Sequence, residues 1–512
     1  MNKPQLHSSS VFTLHQLAAL VAIERNSGKR IVLCHGVFDL LHPGHIDHLV
    51  EAKSHGDILL VTVTPDKYVN KGPGRPIFNE VHRAEMLNAL AVVDFVAITE
   101  SPTAIDAITL LKPHVYVKGP DYVDTSKDLS GNIAREHEAI NSVGGRIQFT
   151  KAPTMSSSRI INDMESKTNS HLANWLTAFR KNYSEAEVMN ALEQLADLKV
   201  LVLGEAIIDE YVVCEALGKS SKDPVLAFRE LSYERQIGGS LAIAAHCAGL
   251  GAQVTVLFYI GDNGLDEDFV RSRVSSNICL EFVKSKSMPT IIKRRYVDSL
   301  TESRVFETYI MSDEPVSNVD ESNLRDKLNT LLPISDIVLV ADYGHGLLSE
   351  TVIQDLANSN KLLAVNTQSN AGNRGYNTIS RYLRVDFVCL NGSEMGLELR
   401  RKNLSMTDLV PQLRSRTGAK RAIVTEGARG LACCDETGTV IHVPAFTQTV
   451  KDRVGAGDAL FAVTSLLFAT ETPSDITGLF GNLAGAALVS ELGNRSHISA
   501  TSLMRHASTL LK

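Results

Sequence analysis

The sequence predicts an α/β protein made of two domains. Its 512 residues exceed the size at which one hydrophobic core usually stops growing. Short runs rich in β-branched residues alternate with helical patterns in two separate series, which is typical of parallel sheets covered by helices. We therefore expect a first domain over residues 1–163, a helical linker over residues 164–195 and a second domain over residues 196–512.

The first series predicts five strands and three helices. The strands are predicted at Arg30–Cys34, Ile58–Thr64, Phe95–Ile98, Val115–Lys118 and Arg146–Phe149. The helices are predicted at His45–Ser54, Val81–Ala91 and Asn132–Val143. The linker follows with helical apolar spacing and holds the only tryptophan, Trp175.

The second series begins after the linker and continues to the end of the chain. Its predicted strands are Lys199–Gly204, Val254–Ile260, Ile337–Ala341, Leu362–Val365, Phe387–Leu390 and Arg421–Thr425. The two series do not resemble each other, and the chain has no internal repeat, so the two domains are expected to differ.

The composition argues against several classes of protein. The net charge of −7 gives no general attraction to nucleic acid or to anionic membranes. Seven scattered cysteines without a C-x-x-C pair argue against a disulfide framework or a zinc site, and they fit a reducing cytoplasm. No signal peptide or apolar run of about 20 residues is found. We expect a cytoplasmic protein that acts on small molecules.

The run "CHGVFDLLHPGH" follows the first predicted strand and opens a helix. Its His42-Pro43-Gly44-His45 segment places two imidazoles where a helix N-terminus meets the carboxyl end of a strand, which is a common site for phosphate. The alternative is a pair of surface or helix-capping histidines. The loop "NKGPGRP" offers Lys71 and Arg75 either as a phosphate clamp or as a plain surface turn.

The run "VKDRVGAGDALFA" near the end of the chain is the second candidate site. Gly455, Ala456 and Gly457 precede a helix and leave backbone N–H groups free for an anion hole. Asp458 at the helix start can accept a proton from a substrate hydroxyl that attacks the γ-phosphate of ATP. The local alternative is a helix N-cap after a flexible loop.

The first domain resembles the cytidylyltransferase-like nucleotidyltransferases through "GVFDLLHPGH", "VKGPDY" and "MSSSRIIN". The resemblance implies a Rossmann-like domain in which His42 and His45 contact the triphosphate and stabilise charge at the α-phosphate. It also implies nucleotide contacts from other residues of these motifs and helices. They are Gly36, Phe38, Asp39, Lys53, Arg83, Lys118, Ser156, Ser157 and Ser158.

The second domain resembles the ribokinase-like (PfkB) sugar kinases over its whole length, which implies a ribokinase-like α/β sandwich. "GEAIID" and the glycine pair after it imply substrate contacts from Asp209, Gly238 and Gly239. "VTEGARG" implies nucleotide binding by Thr425, Gly427 and Gly430. "NGSE" implies an Mg²⁺-associated pair, Asn391 and Glu394, and Asp452 matches a position often near a monovalent cation such as K⁺.

Three positions depart from the kinase pattern. Ala242 replaces a usual asparagine, Asn366 lies in "VNTQSN" where heptose kinases have an aspartate–proline–lysine run, and His345 stands where lysine is common. These positions are expected to contact substrate and phosphate, whereas the residues of the predicted base and anion hole keep the kinase pattern. We expect an altered substrate or, alternatively, a kinase domain that has lost catalysis.

Together the domains resemble the bifunctional heptose 7-phosphate kinase/heptose 1-phosphate adenylyltransferases, with the domain order reversed. The resemblance implies an enzyme that phosphorylates a sugar or sugar phosphate with ATP and Mg²⁺ and then transfers a nucleotidyl group from ATP or CTP. It also implies a homo-oligomer, as in ribokinase-like dimers. Two alternatives stay open: a cytidylyltransferase for a polyol phosphate with a repurposed kinase fold, and a non-enzymatic nucleotide sensor.

Overall fold

The computed structural model describes most of the chain as two compact units. The described residues are 11–72, 75–122, 132–151, 170–373, 375–402, 405–447, 450–490 and 493–511. The first unit comprises residues 1–170 and 504–512, and the second comprises residues 171–503. The helices in 170–193, within the predicted linker, cluster with the second unit.

The first unit is a six-stranded parallel sheet with helices on both faces. Its strands are β1 (Phe12–Thr13), β2 (Ile31–Gly36), β3 (Ile58–Val63), β4 (Phe95–Ile98), β5 (Val115–Lys118) and β6 (Arg146–Phe149). Its helices are α1 (Leu14–Asn26), α2 (Pro43–Lys53), α3 (Glu80–Asn88), α4 (Ile105–Leu111) and α5 (Asn132–Ser142). The strand order is β1-β4-β3-β2-β5-β6, so the order reverses at β2, and ligands bind at such a point in open sheets.

The core of this unit follows from strand alternation. Ile31 and Leu33 of β2 point into an apolar cluster on one face of the sheet, and Val32 and Cys34 point into a cluster on the other. All six residues of β3 are buried, as expected for a strand covered on both faces. This part of the fold confirms the predicted Rossmann-like arrangement.

The second unit contains a nine-stranded and a four-stranded sheet. Its strands are β7 (Lys199–Gly204), β8 (Ala206–Lys219), β9 (Leu226–Gly239), β10 (Gln253–Gly261), β11 (Ile278–Ser285), β12 (Ile291–Asp298), β13 (Arg304–Ile310), β14 (Ile337–Asp342), β15 (Leu362–Thr367), β16 (Phe387–Asn391), β17 (Arg421–Thr425), β18 (Leu431–Cys434) and β19 (Val440–Val443). Its helices are α6 (Ser170–Asn182), α7 (Glu185–Glu193), α8 (Ser240–Gly249), α9 (Gly264–Arg273), α10 (Asn318–Leu331), α11 (Glu350–Asn358), α12 (Gly392–Leu399), α13 (Met406–Thr417), α14 (Ala456–Ala469) and α15 (Ser474–Leu488). The last helix, α16 (Ala500–Leu511), begins in the second unit and ends in the first.

The large sheet has the order β11-β10-β7-β14-β15-β16-β17-β18-β19. It is parallel from β11 to β17, and the antiparallel strands β18 and β19 complete it. The strand order reverses between β7 and β14, so the carboxyl ends of these two strands mark the expected binding crevice. Helices α14 and α15, whose residues are mostly buried, pack against each other.

The small sheet has the order β13-β12-β8-β9, and sequence analysis did not anticipate it. In β12, buried and partly exposed residues alternate along the whole strand, so one face is turned inward. Lys293 and Arg295 lie on that inward face, and in the register of the sheet Lys293 stands opposite Asp209 of β8. The sheet therefore brings positive charge to the residue predicted to bind substrate.

Two further observations concern the whole set of described residues. Within them, no helix is long and apolar enough to cross a bilayer. All seven cysteines are free thiols, and Cys279 on β11 is exposed whereas the other six are buried.

A substitution of Gly204, the last residue of β7, tests the packing at the centre of the large sheet. A Cβ at this position would overlap the carbonyl oxygen of Ala341 in β14. We expect Gly204→Ala to lower the free energy of unfolding by about 1–3 kcal/mol, the usual cost of overpacking. Gly264→Ala is the matched control, because no described atom lies within 4 Å of the added methyl group. If urea denaturation gives the same free energy of unfolding for the two variants, this packing is contradicted.

Candidate functional site

In the first unit, two histidines stack at the start of α2. His42 is the N-cap residue, and its Nδ1 accepts a hydrogen bond from the backbone N–H of His45 at 3.3 Å. The two rings are parallel to within 19°, with their centres 3.9 Å apart. Because Nδ1 of His42 is an acceptor, the ring proton lies on Nε2, which is buried and has no protein partner. Thus His42 caps the helix and also offers a donor to a ligand.

The surroundings of both histidines disfavour the protonated imidazole. Burial lowers the pKa of His45 to about 3, and charge on His42, Lys71 or His48 acts in the same direction. Burial also lowers the pKa of His42, with a further contribution from Lys71. A bound anion would reverse these effects, because a nearby negative charge favours the protonated imidazole. The charge of Lys71 is therefore felt at both histidines.

The loop between β2 and α2 is fixed from inside the unit. The Asp39 carboxylate is buried, and its Oδ1 accepts the backbone N–H groups of Ile77 and Phe78 at 2.6 and 3.2 Å. Phe38 has a φ of +52°, and its ring centre lies 5.5 Å from that of His45. A Cβ at Gly36 would stand 3.1 Å from this ring, so glycine gives Phe38 its place. These three residues shape the loop around the histidines.

Lys118, at the end of β5, lies at the same edge of the sheet as the histidines. Its ammonium forms a buried ion pair with Glu136 at 2.9 Å and lies 4.5 Å from the centre of the Tyr122 ring. Burial lowers the pKa of His48, the next histidine along α2, and the Lys118 charge acts in the same direction. His48 Nδ1 is 2.9 Å from the Thr150 hydroxyl. Sequence analysis did not single out His48, although the three-residue spacing of His42, His45 and His48 was a usable signal.

Of the other basic residues predicted to bind phosphate, Lys53 lies away from the histidines, whereas Arg83 lies at their edge of the sheet but contacts protein groups. Lys53 is at the far end of α2, where it contacts the Asp94 carboxylate and the Asp57 carbonyl. These aspartates precede β4 and β3, so Lys53 lies at the opposite edge of the sheet. Arg83 is fully buried and contacts the carbonyls of residues 37, 64 and 78 and the Asp66 carboxylate. All three of its guanidinium nitrogens are engaged, so it holds loops together. The predicted Ser156, Ser157 and Ser158 lie outside the described residues.

In the second unit, Asp458 lies in the first turn of α14. Gly455 is the N-cap with a φ of +80°, and a Cβ there would overlap Asn494 Oδ1, so only glycine fits. No described atom lies within 4 Å of a Cβ position at Gly457, which leaves open space beside the first-turn amides of Ala456 and Gly457. Such amides at a helix N-terminus bind anions.

The Asp458 carboxylate has the features of a general base. Its Oδ1 accepts a hydrogen bond from the Tyr343 hydroxyl at 2.8 Å. Burial and the nearby charge of Asp209 raise its pKa to about 6, although the Tyr343 hydrogen bond and Lys293 oppose this shift. A carboxyl with a pKa close to neutrality is well matched to general-base catalysis at pH 7.

Asp209 on β8 lies near Asp458, but both of its oxygens are occupied. Oδ1 pairs with the Arg295 guanidinium, and Oδ2 accepts the Asn494 amide at 3.1 Å. A Cβ at Gly238 would overlap Asp209 Oδ2, which explains the need for this glycine. Sequence analysis missed Arg295 and its neighbour Lys293, whose period-two alternation on β12 was the available signal.

The remaining predicted glycines fix sharp turns. Gly239 has a φ of +60°, and a Cβ there would overlap the carbonyl oxygen of Glu205. Gly430 has a φ of +100°, and its carbonyl accepts the N–H of Glu426 at 2.7 Å, which closes the turn after Thr425. Gly427, at the start of this turn, also has positive φ and faces open space.

Asn391 and Glu394 form a capping box at the start of α12. Asn391 Oδ1 accepts the Glu394 N–H, and Glu394 Oε2 accepts the Asn391 N–H at 2.8 Å. Burial raises the Glu394 pKa to about 7, with a contribution from Asp458. No cluster of three potential ligands exists among the described histidine, cysteine, aspartate and glutamate side chains. Mg²⁺ that arrives with nucleotide phosphates needs only one or two protein carboxylates, and Glu394 can supply one.

Asp452 does not offer free oxygens to a cation in this arrangement. Its Oδ1 contacts Arg304 and the Val454 N–H, and its Oδ2 accepts the Gly493 N–H at 3.0 Å and the Tyr211 hydroxyl at 3.3 Å. The carboxylate is therefore neutralised by protein groups. A K⁺ ion bound through this side chain would have to displace them.

The three departures from the kinase pattern have distinct surroundings. Ala242 is buried in α8, and the Asn366 amide donates to the Cys389 carbonyl at 2.7 Å, which joins β15 to β16. The backbone N–H of His345 donates to Glu205, while its ring Nε2 is buried without a partner. Burial lowers the pKa of His345 to about 4, so a neutral ring stands where lysine is common.

Comparison with known proteins gives matches for both units. The model of the pfkB family of carbohydrate kinases matches residues 197–501, and the cytidylyltransferase-like model matches residues 33–163. The Bifunctional protein HldE of Aliarcobacter butzleri is 42% identical over 142 residues, which cover 27% of this chain and 29% of that protein. HldE of Pelobacter propionicus is 41% identical over 135 residues, or 26% of each chain. The chain thus spans less than a third of the length of these curated relatives.

Solved structures also resemble the chain. Phosphofructokinase-2 from Escherichia coli in complex with potassium aligns with a TM-score of 0.50 and 17% identity, covering 62% of this chain and 100% of that one. The same enzyme in complex with fructose-6-phosphate aligns with a TM-score of 0.50 and 16% identity over the same shares. At this identity the likeness concerns the fold, and it confirms the predicted ribokinase-like sandwich.

The raised pKa of Asp458 gives a prediction for stability. Its folded-state pKa of about 6 lies above its ordinary value of 3.8, so the folded chain holds the proton more tightly. The carboxylate therefore costs stability as the pH rises through this interval, by roughly 3 kcal/mol in all. We expect Asp458→Asn to raise the free energy of unfolding relative to the unmodified chain, and to do so more at pH 8 than at pH 5.

Asp298→Asn is the control of opposite sign. Hydrogen bonds from Thr301 lower the pKa of this exposed carboxyl, so its ionised form stabilises the turn at neutral pH. Denaturant titrations at the two pH values should show a loss of stability for Asp298→Asn at pH 8. If Asp458→Asn gains the same free energy of unfolding at pH 5 and at pH 8, the raised pKa of Asp458 is contradicted.

Proposed function

The chain belongs to the pfkB family of carbohydrate kinases, and on that premise we propose that it is a bifunctional enzyme. The second unit phosphorylates a sugar or sugar phosphate of the heptose phosphate type with ATP. The first unit then transfers a nucleotidyl group from ATP or CTP to the sugar 1-phosphate. The products are a nucleotide-activated sugar and pyrophosphate. Similarity to the HldE proteins supports the pairing of these two steps.

The observation that carries the kinase proposal is the position of Asp458 between Asp209 and an open helix N-terminus. An acceptor hydroxyl bound near Asp209 gives its proton to Asp458 as its oxygen attacks the γ-phosphorus of ATP, and ADP leaves. The amides of Ala456 and Gly457 donate to the charge that develops on the transferred group. Magnesium bound with the nucleotide would supply further charge neutralisation, and Glu394 is the carboxylate suited to hold it.

The nucleotidyl transfer needs no nucleophile from the protein. An oxygen of the sugar 1-phosphate attacks the α-phosphorus of the nucleotide, and the bond to pyrophosphate breaks. His42, through its Nε2 proton, and His45 stabilise the charge at the α-phosphate, while the helix N-terminus binds the phosphate chain. Lys71 and Lys118 add positive charge at the same edge of the sheet.

The second candidate function is a cytidylyltransferase for a polyol phosphate, with a kinase fold that has been repurposed. The occupied carboxylate of Asp209 favours it, because Arg295 and Asn494 take both oxygens that would bind substrate hydroxyls. The substitution at Asn366 points the same way. A kinase activity that depends on Asp458 would exclude this alternative.

We also propose that the enzyme works in the cytoplasm as a homo-oligomer. Six buried thiols fit a reducing compartment. The outward face of the small sheet carries Tyr296 and Phe306, whose rings stack with centres 4.2 Å apart, and Phe306 remains 44% exposed. Exposed aromatic pairs of this kind favour association.

The two activities should be separable by mutation. We expect His45→Ala to reduce nucleotidyl transfer by at least about 100-fold and to leave phosphorylation intact, because the oxyanion donors of the two sites are independent. Asp458→Asn should do the reverse. Lys53→Met is the control for the first unit, since Lys53 lies at the opposite edge of the sheet, and its transfer rate should equal that of the unmodified enzyme.

The measurement is a mass spectrum of products. The protein is incubated with Mg²⁺, ATP and CTP, and with heptose 7-phosphate, fructose 6-phosphate or ribose. A nucleotide-linked sugar from the unmodified enzyme, and a phosphorylated intermediate that accumulates with His45→Ala, are the expected results. Nucleotidyl transfer that occurs only with pre-phosphorylated acceptors would favour the cytidylyltransferase alternative. Loss of both activities in His45→Ala would contradict separate sites.

A further inference from the structure

Tyr343 is held in place by hydrogen bonds from every polar group it possesses. Its N–H donates to Glu205 Oε2 at 2.9 Å, and its carbonyl accepts the side-chain amides of Asn370 and Asn373 at 2.7 and 3.0 Å. Its hydroxyl donates to Asp458 Oδ1 at 2.8 Å. The side chain is 3% exposed. The tyrosine therefore has one defined position, with its hydroxyl on the predicted base.

The asparagines belong to a clamp on the turn that follows β14. Asn377 donates to both the carbonyl and the carboxylate of Asp342 at 2.9 Å. Gly344 has a φ of +72°, and a Cβ there would stand 2.6 Å from the Asn373 amide. Asn370 ends the run VNTQSN, in which the sequence departs from the heptose kinases. This residue, with Asn373 and Asn377, thus supports the turn that carries Tyr343.

We propose that Tyr343 is a positioning residue of the kinase reaction, and that Asn370 and Asn373 fix it for that role. The proposal rests on the kinase activity proposed above. The hydroxyl binds Oδ1 of Asp458 and fixes the plane of the carboxylate, so that Oδ2 is left to accept the proton of the acceptor hydroxyl. A carboxylate free to rotate would meet the acceptor in several orientations and would react more slowly.

The hydroxyl also favours the reactive protonation state. Asp458 lies near Asp209 in a buried setting, and both conditions favour the protonated carboxyl, which cannot act as a base. A hydrogen bond from Tyr343 stabilises the ionised form instead. Lys293 assists, because its ammonium lies 5.6 Å from the centre of the Tyr343 ring and its charge also favours ionised Asp458.

The experiment measures kcat and KM for phosphoryl transfer as a function of pH in Tyr343→Phe. The assay uses MgATP and whichever of heptose 7-phosphate, fructose 6-phosphate and ribose the unmodified enzyme phosphorylates fastest. Without the hydroxyl, the Asp458 pKa rises, so we expect the acid limb of kcat to move upward by about one pH unit. At pH 7 this shift alone lowers kcat about twofold, and loss of the fixed carboxylate orientation should bring the total fall to about tenfold, with little change in the KM for ATP.

Tyr183→Phe is the matched control. Its hydroxyl donates to the Asp475 carboxylate at 3.2 Å, so this variant loses the same kind of bond at the start of α15, away from Asp458. Its pH profile should be that of the unmodified enzyme. A purely structural role for Tyr343 would lower stability or kcat at all pH values without moving the acid limb.

A second variant keeps the proposal testable if Tyr343→Phe does not fold. Asn373→Ala retains the tyrosine and removes one of the two amides on its carbonyl, so a smaller shift of the acid limb in the same direction is expected. If Tyr343→Phe or Asn373→Ala folds and the acid limb of kcat does not move, the positioning role is overturned. If the unmodified enzyme phosphorylates none of the three acceptors, the proposed kinase function fails first, and the role of Tyr343 fails with it.

Discussion

The geometry of the second unit depends on one buried carboxylate, that of Glu205 at the end of β7. Its two oxygens accept the backbone N–H groups of Tyr343 and His345 at 2.9 and 3.1 Å, which ties the end of β7 to the turn after β14. Its own carbonyl accepts the N–H of Ser240 at 3.0 Å, where α8 begins. The strand order of the sheet reverses between β7 and β14, so this residue bridges the binding crevice. Burial raises the Glu205 pKa to about 7, and the backbone donors oppose that shift.

In the first unit, an uncharged side chain has both a structural role and a binding role. His42 uses one ring nitrogen to cap α2 and keeps the other for a ligand, so capping and binding are performed by the same side chain. The cations of this unit differ in position and partners. Arg83 donates to four protein acceptors. Lys53 is bound at the opposite edge of the sheet, whereas the charges of Lys118 and Lys71 act on the histidines. A basic residue near a motif therefore contributes to the site only if its position and partners leave its charge directed there.

Sequence alone predicted the parallel strands well, because buried runs of β-branched residues are a local signal; β4 has the bounds that were expected. It missed the small sheet, whose long strands β8 and β9 lack the strict period-two alternation of polar and apolar residues that marks a half-buried strand. It singled out Asp209 and Asp458 through their motifs, but it could not pair Asp209 with Arg295, which lies 86 positions further along the chain. Long-range partners of this kind depend on strand register, and neither residue's neighbours encode that register. The contacts that Lys53 and Arg83 make within the first unit depend on the folded arrangement in the same way.

The distribution of thiols has a practical consequence for studying the molecule in motion. Of the seven cysteines, Cys279 on β11 is exposed, and the others are enclosed by the two cores. A maleimide dye added to the native enzyme will therefore attach at one defined place, on an edge strand of the large sheet, without any engineered substitution. Fluorescence from that dye can follow the second unit through a catalytic cycle, with the chemistry of both sites left as the chain encodes it.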